Sequence, residues 1–347
     1  MASEIPICQL ERQGFTRGSC EVRRGKHLAP ACTVTLRSRN GKMERLIKSM
    51  HLSRPENYFS IYQSGCNFSC RKCHSWEFSQ RAEGKWYSVE ELVRESQDYE
   101  RHVTLEEPRE RATAWHAIQT CRCCGACVLR QRPGPSCPGT LRPDQVVLSP
   151  QGFGPARSIV AFTGGDLTCQ PDFYCEFARL LKKTTRLWLL IETNGYGLMP
   201  QTLDMLAEAG VDAFWLDIKA FHDPVHVWLT GRSNVEILKL PQAIVERGFV
   251  LEVLSLFIPG LVETDQLREI ASVIAAADSQ IPFTILAFFP EYRMQGYRSP
   301  TTREMVDAYK ACKSAGLEQI KLGNVGIFVR DEADQQLLER ELGTEAL

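Results

Sequence analysis

The chain has 347 residues, of which 44% are hydrophobic and 24% are charged, and its net charge is −1. This balance is typical of a globular protein with enough length to bury a large core. The near-zero charge gives no reason to expect binding to nucleic acid or to an anionic membrane. The longest apolar stretch, residues 249–262, is too short and too interrupted to span a bilayer, and the N-terminal residues lack the apolar core of a signal peptide.

Fourteen cysteines are the unusual feature of the composition. In a small secreted protein they would indicate disulfides, but this chain is large and shows no export signal. Several of the cysteines are grouped, and grouped cysteines in an intracellular chain are typical of metal sites. We therefore expect a cytoplasmic protein in a reducing, low-oxygen setting.

The first cysteine group lies in residues 64–80, where Cys66, Cys70 and Cys73 have the spacing C-x3-C-x2-C. Iron–sulfur clusters are held by cysteine thiolates, and three thiolates on one short loop suit three corners of a cubane cluster. A full cubane set has four protein ligands, so three would leave one iron open to a substrate or cofactor. The alternative is three buried or zinc-bound cysteines, although zinc sites usually present paired knuckles with four ligands.

Short apolar strands alternate with helical segments from about residue 58 to residue 290, and polar motifs follow several of the strands. This alternation predicts an α/β domain with a parallel sheet. In α/β barrels the active site lies at the C-terminal ends of the strands, and the cysteine loop follows the first of them. The predicted strands are 58–63, 158–162, 187–191, 213–221, 249–260 and 282–289.

The cysteine loop resembles that of the radical SAM enzymes, and CHSWEFSQ from Cys73 is similar to the CQNWEISQ of the AmmeMemoRadiSam-type members. The resemblance covers residues 60–95 and 158–328 well and residues 15–60 weakly. It implies a partial (β/α)6 barrel that holds a [4Fe–4S] cluster on the three cysteines, with S-adenosylmethionine (SAM) on the open iron. It also implies reductive cleavage of SAM to a 5′-deoxyadenosyl radical.

A Thr-Gly-Gly-Asp sequence follows the second predicted strand and resembles the Gly-Gly-Glu motif of the superfamily, which receives the amino group of SAM. The resemblance assigns this role to Gly164, Gly165 and Asp166. Glycines suit such a place because the backbone must approach a ligand closely. Asp166 is one methylene shorter than the usual Glu, and an isolated TGGD would be an ordinary strand-to-helix turn.

The third and fourth predicted strands end in motifs that resemble those of the pyruvate formate-lyase activating enzyme. Glu192, Thr193 and Asn194 stand in the place of its DTNG sequence, and Asp217 and Lys219 stand in the place of its LDLK sequence. The resemblance implies that these residues bind SAM. The two acids and Thr193 would lie beside the SAM carboxylate and hold a monovalent cation. For Lys219, a solvated charge at the barrel rim is the alternative.

Ile258, Pro259 and Gly260 match the family's IPG turn, which lies against the adenine of SAM. Two other positions depart from the family pattern. Lys72 replaces the aromatic residue that usually precedes the third cysteine and packs on adenine, and Phe289 replaces a histidine that contacts SAM. A lysine stem can still pack while its charged head reaches solvent.

An inserted segment, residues 98–157, interrupts the predicted barrel. Its cysteine spacing resembles a ferredoxin half-motif with a lengthened last gap. We therefore predict an auxiliary [4Fe–4S] cluster, and a four-cysteine zinc site is the alternative. The ligands would be Cys121, Cys124, Cys127 and Cys137, with Cys123 as an alternative ligand.

Three further cysteines, Cys8, Cys20 and Cys32, lie in the basic N-terminal segment. The sequence RGSCEVR around Cys20 resembles the end of a cysteine-rich segment in AmmeMemoRadiSam-type proteins, but the rest of that pattern is missing. Metal binding and plain packing both stay open for these thiols. Cys169 follows Asp166 and should face the site, as a ligand, a radical relay or a small buried residue.

These motifs divide the chain into five predicted segments. They are an N-terminal extension (1–55), the start of the barrel with the cysteine loop (56–97), the metal-binding insert (98–157), the remainder of the barrel (158–328) and a C-terminal helical tail (329–347).

The function that the motifs predict is reductive SAM cleavage followed by hydrogen-atom abstraction, as in the activases of glycyl radical enzymes. A different radical modification of a peptide, protein or small molecule, with the auxiliary cluster taking part, is a second interpretation. A non-catalytic iron–sulfur electron carrier is a third. We expect an electron donor such as ferredoxin or flavodoxin and a glycyl radical enzyme as protein substrate, with no nucleic acid or membrane partner.

Overall fold

The computed structural model describes residues 8–343, so residues 1–7 of the predicted extension and 344–347 of the predicted tail lie outside the described residues. The six predicted strands are present, with bounds that differ by a few residues. The strands are β1 (Glu21–Arg24), β2 (His27–Pro30), β3 (Leu36–Arg39), β4 (Lys42–Leu52), β5 (Phe59–Gln63), β6 (Lys85–Ser88), β7 (Val147–Ser149), β8 (Gly152–Gly154), β9 (Ile159–Gly164), β10 (Trp188–Thr193), β11 (Ala213–Asp217), β12 (Val250–Phe257), β13 (Phe283–Ala287) and β14 (Ile320–Gly323).

Helices connect most of the strands. Ser88 with Glu91 begins the fourth helix and Thr301 with Glu304 begins the twelfth, each as a capping box. No helix within residues 8–343 is both long and apolar enough to cross a membrane. The α-helices are α1 (Gln9–Arg12), α2 (Ala31–Thr35), α3 (Trp76–Ser79), α4 (Val89–Glu100), α5 (Ala117–Thr120), α6 (Ala126–Leu129), α7 (Pro171–Thr184), α8 (Pro200–Ala209), α9 (Asp223–Thr230), α10 (Leu240–Val245), α11 (Thr264–Ala277), α12 (Thr302–Ser314), α13 (Val325–Phe328) and α14 (Glu332–Leu342), and the short 3₁₀ helices are Arg109–Arg111, Pro143–Gln145, Ile237–Lys239 and Tyr292–Met294.

Parallel strands form the body of the fold. They follow the order β5, β9, β10, β11, β12, β13 and β14, and each neighbouring pair is parallel. Antiparallel strands extend the sheet beyond β5, where β4 pairs with β5, β3 and β6. Within residues 8–343, β14 and β3 end the sheet without pairing to each other, so the barrel is open. This arrangement confirms the predicted mixed α/β fold with a partial barrel.

The central strands are buried on both faces, which explains their almost continuous apolar sequences. Residues 159–163 and 189–191 are all buried. The helix α7 shows how the outer face is covered, because Phe173 and Phe177 lie on one buried side and both rings contact Phe162 of β9.

A second, smaller core lies inside the barrel and includes residues of the predicted insert. Ala112 and Ala114 pack there with Tyr58 and with inner side chains of β9, β10 and β11. The backbone N–H of Trp115 donates to Glu252 Oε2 at 2.8 Å. The first part of the insert therefore fills the barrel interior instead of standing apart from it.

A buried ion pair anchors that part of the insert. The guanidinium of Arg157, whose side chain is 0% exposed, lies 2.8 Å from Glu107 Oε1. It also donates to the carbonyl oxygens of Glu56, Arg111 and Thr113. A buried charge requires such a full set of partners because its desolvation is costly.

The N-terminal segment packs directly against the cysteine loop. The N–H of Ser69 donates to Ser19 Oγ at 3.1 Å. A Cβ placed on Gly65 would lie 2.6 Å from Thr35 Oγ1, so α2 closely approaches the residue before Cys66. The extension is thus in contact with the candidate site, while the five-segment division of the chain stays a prediction.

Candidate active site

The cysteine loop follows β5, at the C-terminal end of the first parallel strand. Cys66 and Cys70 are buried, and Cys73 is half-buried. The N–H of Phe68 donates to Cys66 Sγ at 3.4 Å, and Cys73 Sγ lies 3.1 Å from Ser79 Oγ. The loop therefore brings three thiols to the end of the barrel where α/β enzymes place their active sites.

Burial raises the pKa of all three thiols, to about 12 for Cys66. The thiols are close enough to interact, because a charge on Cys66 or Cys73 further raises the pKa of Cys70. Lys219 opposes this effect and lowers the pKa of both Cys70 and Cys73. The free thiols are therefore protonated near neutral pH, and a bound metal is needed to hold all three as thiolates.

The donor set fits an iron–sulfur cluster by its chemistry, since three interacting thiols share one loop and a lysine offsets their negative charge. The side chains of residues 8–343 include no group of three or more His, Cys, Asp or Glu that is spaced to hold a metal ion. Cluster binding therefore requires the loop to adjust around the iron and sulfide.

Asp217 and Lys219 lie beside Cys70, close to the end of β11. Lys219 Nζ forms an ion pair with Asp217 Oδ2. Burial alone would lower the pKa of Lys219, but the charges of Asp217 and Cys70 outweigh burial and raise it. Asp217 Oδ1 is buried and has no hydrogen-bond partner. An unpaired buried carboxylate oxygen is costly, so this atom is suited to accept a bond from a ligand or to bind a cation.

Asp166 lies next to the cysteine loop, and both of its carboxylate oxygens accept hydrogen bonds from the protein. Its Oδ1 accepts from the N–H and the hydroxyl of Thr168, each at 2.9 Å. Its Oδ2 accepts from Thr193 Oγ1 at 2.8 Å and from the N–H of Asn194 at 2.9 Å. Asp166 thus braces two neighbouring strand ends, and its contact with SAM stays a prediction that would require one of these bonds to be exchanged.

The glycines before Asp166 allow two backbones to approach closely. The N–H of Gly165 donates to the carbonyl of Gln63 at 2.8 Å, and a Cβ on Gly165 would overlap the carbonyl oxygen of Gly65. Gly164 has φ +86°, in the left-handed region that favours glycine. The two glycines are therefore needed for packing against the cysteine loop, in addition to their predicted contact with SAM.

Glu192 and Thr193 face different sides because side chains alternate along a strand. Thr193 and Asn194 bond Asp166, as described above. Glu192 instead faces the barrel interior, where the hydroxyl of Tyr58 donates to it at 3.1 Å. Burial raises the pKa of Glu192 to about 8, so its carboxyl is mostly protonated near neutral pH. A role in holding a cation beside SAM stays a prediction for this residue.

Ile258, Pro259 and Gly260 form a turn that follows β12. Ile258 lines a small cavity together with Cys70 and Lys219. Pro259 is buried, whereas Gly260 is exposed. The structure thus brings the first residue of the predicted adenine-binding turn beside the cysteine loop.

Two residues that the sequence analysis did not assign, Glu291 and His74, meet Lys72 at the edge of the site. Lys72 Nζ lies 2.6 Å from Glu291 Oε2 and 3.6 Å from the ring centroid of Phe289. His74 Nδ1 lies 3.1 Å from the same oxygen of Glu291. The side chain of Lys72 is 6% exposed, so its charged head lies inside the protein and not in solvent. The sequence signal for this contact was the pair of departures at positions 72 and 289.

The cysteines of the insert are not brought into one group that is spaced to hold a metal ion, as far as residues 8–343 show. The N–H of Cys123 donates to Cys121 Sγ at 3.3 Å. Cys124 and Cys137 are exposed, and Cys127 is half-buried. An auxiliary cluster on these residues stays a prediction.

Cys123 has an unusual environment for a thiol. Its pKa is lowered to about 7, mainly because the Cys121 thiol bonds to it, and Asn57 and Arg54 lower it further while burial opposes them. Its backbone has φ 54°, which is uncommon for a residue other than glycine. The ordinary ferredoxin pattern contains no cysteine at this place. Of the neighbouring thiols Cys121 and Cys123, only Cys123 has a lowered pKa.

Comparison with known proteins matches one part of the chain to a family. Residues 120–274, which include β9 to β12, match the family model of the radical SAM superfamily. The chain contains a radical SAM domain. The radical SAM family implies a [4Fe–4S] cluster and SAM, and the cysteine loop that would hold them precedes the matched residues.

The chain is similar over part of its length to a protein from Methanocaldococcus jannaschii, provisionally named a glycyl-radical enzyme activating enzyme. The two are 29% identical over 170 residues, which is 48% of this chain. This chain spans 61% of the length of that relative.

Two solved structures show similarity to part of this chain. A domain of pyruvate-formate lyase-activating enzyme from Bacteroides vulgatus aligns with 48% of this chain and 98% of that chain, at 16% identity and a TM-score of 0.42. SuiB from Streptococcus suis bound to S-adenosylmethionine aligns with 45% of this chain and 36% of that chain, at 15% identity and a TM-score of 0.36.

Proposed function

We propose that this radical SAM protein is an oxidoreductase that reductively cleaves SAM and abstracts a hydrogen atom from its substrate. Cys66, Cys70 and Cys73 would hold the [4Fe–4S] cluster. A cluster of this kind supplies the electron that cleaves the sulfonium of SAM into methionine and a 5′-deoxyadenosyl radical. The observation that carries the proposal is the meeting of the three thiols with Asp217 and Lys219 at the C-terminal ends of β5 and β11.

Asp217 is the residue best suited to bind SAM or its accompanying cation. Its Oδ1 is buried without a partner, whereas its Oδ2 is already paired with Lys219. A free acceptor beside a fixed ion pair is pre-organised, so no internal bond has to break on binding. Lys219 would in turn offset the negative charge that three thiolates bring to the site.

The other proposed contacts of SAM surround the same cysteine loop. The backbone of Gly164 and Gly165 would lie against the methionine part of SAM, with Asp166, Thr193 and Asn194 holding the loop in place. The Ile258–Gly260 turn would cover the adenine, because Ile258 already shares a cavity with Cys70. Glu192 would help to hold the cation from its position in the barrel interior.

The substrate proposed first is a backbone glycine of a partner protein, as in glycyl-radical-enzyme activation. The relative from Methanocaldococcus jannaschii supports this substrate class by its name. The electron that reduces the cluster would come from an external donor such as ferredoxin or flavodoxin. The expected setting is cytoplasmic and anaerobic, since reduced iron–sulfur clusters react with oxygen.

A second candidate is a different radical modification of a peptide, protein or small molecule. Lys72 and Phe289 favour it, because they replace an aromatic and a histidine of the activases and contact each other instead. In this version the cysteines of the insert hold an auxiliary [4Fe–4S] cluster, or zinc. Cys121 supports a metal-binding role, because it accepts an N–H bond from the residue two positions later, as Cys66 does.

The first experiment measures 5′-deoxyadenosine released from SAM by the anaerobically reconstituted, dithionite-reduced protein. We expect product from the wild type and none from Cys70→Ala. The matched control is Cys312→Ala, another buried cysteine whose pKa is raised by burial alone. Absence of product from a wild type with an intact, reducible cluster would contradict the proposal and support an electron carrier.

A quadruple variant with Cys121, Cys124, Cys127 and Cys137 changed to Ala separates the two cysteine groups. Retained 5′-deoxyadenosine formation would place the insert's cluster on the substrate side. Loss of product with the first cluster still loaded would make the insert an electron relay. A glycyl radical detected by electron paramagnetic resonance in an added glycyl radical enzyme would then decide for the activase, and its absence for the second candidate.

A further inference from the structure

Four cysteines outside the proposed SAM site come together at the N-terminal segment: Cys8, Cys20, Cys32 and Cys169. They lie on four separate segments, at the N-cap of α1, just before β1, in α2 and in the loop after β9. Cys32 and Cys169 are buried in the main hydrophobic core, and Cys8 and Cys20 pack against that core. The four thiols lie close enough together for their charges to affect one another. A charge on Cys8 raises the pKa of Cys20, and charges on Cys8 and Cys20 raise the pKa of Cys32. Charges on all three raise the pKa of Cys169.

The hairpin of β1 and β2 explains why two of these thiols are neighbours. Its register pairs Glu21 with Pro30, so Cys20 and Ala31 stand opposite each other at the open end. The N–H of Ala31 donates to the carbonyl of Cys20 at 2.7 Å, which extends the pairing by one step. Cys32 is the next residue in the chain, and both side chains therefore lie at the same end of the hairpin.

A turn after β10 brings the other two thiols to the same place. The hydroxyl of Tyr196 donates to the carbonyl of Thr16 at 2.9 Å, which fixes the N-terminal segment to this turn. A Cβ on Gly197 would overlap the backbone nitrogen of Cys169, so the loop after β9 rests on the next residue of the same turn. Tyr196 also interacts electrostatically with both Cys8 and Cys169.

We propose that Cys8, Cys20, Cys32 and Cys169 are the four ligands of a further iron–sulfur cluster. Four thiolates are the usual ligand set of a [4Fe–4S] cluster. A structural zinc site usually contains a C-x2-4-C knuckle, and no two of these four cysteines have that spacing. Arg17 interacts with Cys20 and Cys32 and supplies a positive charge beside the thiolates.

The described thiols are not spaced for a single metal ion, either here or at the Cys66 loop. A cluster would therefore require these segments to adjust around the iron and sulfide, as at the Cys66 loop. The site adjoins the proposed SAM site, since the charge of Asp166 acts on both Cys66 and Cys169. The assignment does not rest on the proposed function, and it involves none of the insert's cysteines.

The test counts iron and acid-labile sulfide per chain after anaerobic reconstitution of the full-length protein. We expect the double variant Cys20→Ser, Cys32→Ser to lose about four iron atoms relative to the wild type. The matched control changes two buried cysteines that lie elsewhere, Cys175→Ser and Cys312→Ser. This control should keep as many iron atoms per chain as the wild type. An unchanged iron content in the first variant, or zinc in place of iron, would overturn the assignment.

A second measurement uses the wild type and so does not depend on how a variant folds. Cys8 and Cys20 are half-buried and open to a small alkylating reagent. We expect both to be alkylated in the iron-free protein, to be protected after reconstitution, and to react again after chelation, as followed by peptide mass spectrometry. Equal alkylation with and without iron, or a disulfide between these residues under reducing conditions, would contradict the cluster.

Discussion

The ammonium of Lys72 lies 3.6 Å from the ring centroid of Phe289, and both residues stand at positions where the chain departs from the radical SAM pattern that it resembles. A cation over an aromatic face is a favourable contact. The same ammonium pairs with Glu291 at 2.6 Å, which ties the cysteine loop to the segment after β13. The two departures are therefore one joint change in the structure and not two independent losses.

A double-mutant cycle on Lys72→Met and Glu291→Gln tests this link. We expect Lys72→Met to lower the free energy of unfolding by about 2 kcal/mol, because it leaves a partly buried carboxylate without its cation. The coupling energy between the two changes should reach about 1 kcal/mol, measured by denaturant unfolding. Lys42→Met breaks the exposed pair with Glu90 and serves as the control, with a change that stays within error. Additive effects of the two test substitutions would show that the pair is not coupled.

Asp217→Asn should weaken SAM binding without unfolding the protein. The variant keeps the shape of the side chain but loses the charge of the unpaired Oδ1. A charge-assisted hydrogen bond is worth about 1.5–3 kcal/mol, so we expect a roughly 10- to 100-fold rise in the SAM dissociation constant. Titration of the reconstituted protein with SAM measures it, and Asp204→Asn, an exposed acid on α8, is the control. Equal affinities in all three proteins would exclude Asp217 from the SAM site.

Asp166→Asn separates a bracing role from a ligand role. The four hydrogen bonds that the carboxylate accepts should make this substitution destabilising by about 2–4 kcal/mol, even without cluster or SAM. Thermal unfolding of the iron-free protein measures the effect. A variant that melts like the wild type but fails to bind SAM would show that Asp166 acts as a ligand and not as a brace.

Glu192 predicts a pH dependence of stability. Its pKa is raised to about 8 from its ordinary value of 4.5, so between these values the unfolded chain is ionised while the folded protein holds a proton. Stability from this group is therefore lost as the pH rises from about 4.5 to about 8. Glu192→Gln stays neutral and should match the wild type near pH 5 but exceed it by about 1–3 kcal/mol at pH 8. The same difference in the free energy of unfolding between the variant and the wild type at both pH values would contradict this prediction.

Arg157→Met tests whether the insert is part of the barrel core. Removing the cation leaves the buried Glu107 with Arg111 alone as its ion-pair partner and takes a donor from three backbone carbonyls, and we expect a loss of about 3–5 kcal/mol in the free energy of unfolding. The neighbouring exposed pair of Arg186 and Glu106 provides a matched control, and Arg186→Met should leave the unfolding curve unchanged. If Arg157→Met instead released only the insert to proteolysis at unchanged barrel stability, the insert would be an independent attachment.

Local patterns in the sequence were sufficient to predict the strands and the cysteine loop. The alternation of short apolar runs with amphipathic helices predicted the parallel sheet, because each signal is contained within one element. The position of polar motifs after strands predicted that Asp166, Asn194 and Asp217 would gather at one edge. The cysteine spacing predicted that Cys66, Cys70 and Cys73 would share one loop, which the structure shows.

The motifs did not predict the direction in which individual side chains point. ETNG reads as one unit in the sequence, yet Glu192 faces the barrel interior while Thr193 and Asn194 bond Asp166. The motifs likewise did not show that Ala112 and Ala114, within the predicted insert, complete the inner core. Both differences arise because the partners are supplied by strands distant in the chain.

The sequence by itself determined the fold class, the order of the strands and the types of side chain that reach the strand ends, since these follow from local periodicity and spacing. Only the tertiary structure decided that Lys72 meets Phe289, that Asp217 Oδ1 is left without a partner, and that Cys32 and Cys169 share one core. Such contacts depend on how separate segments pack, and burial and charge at a site are properties of that packing and not of any single segment.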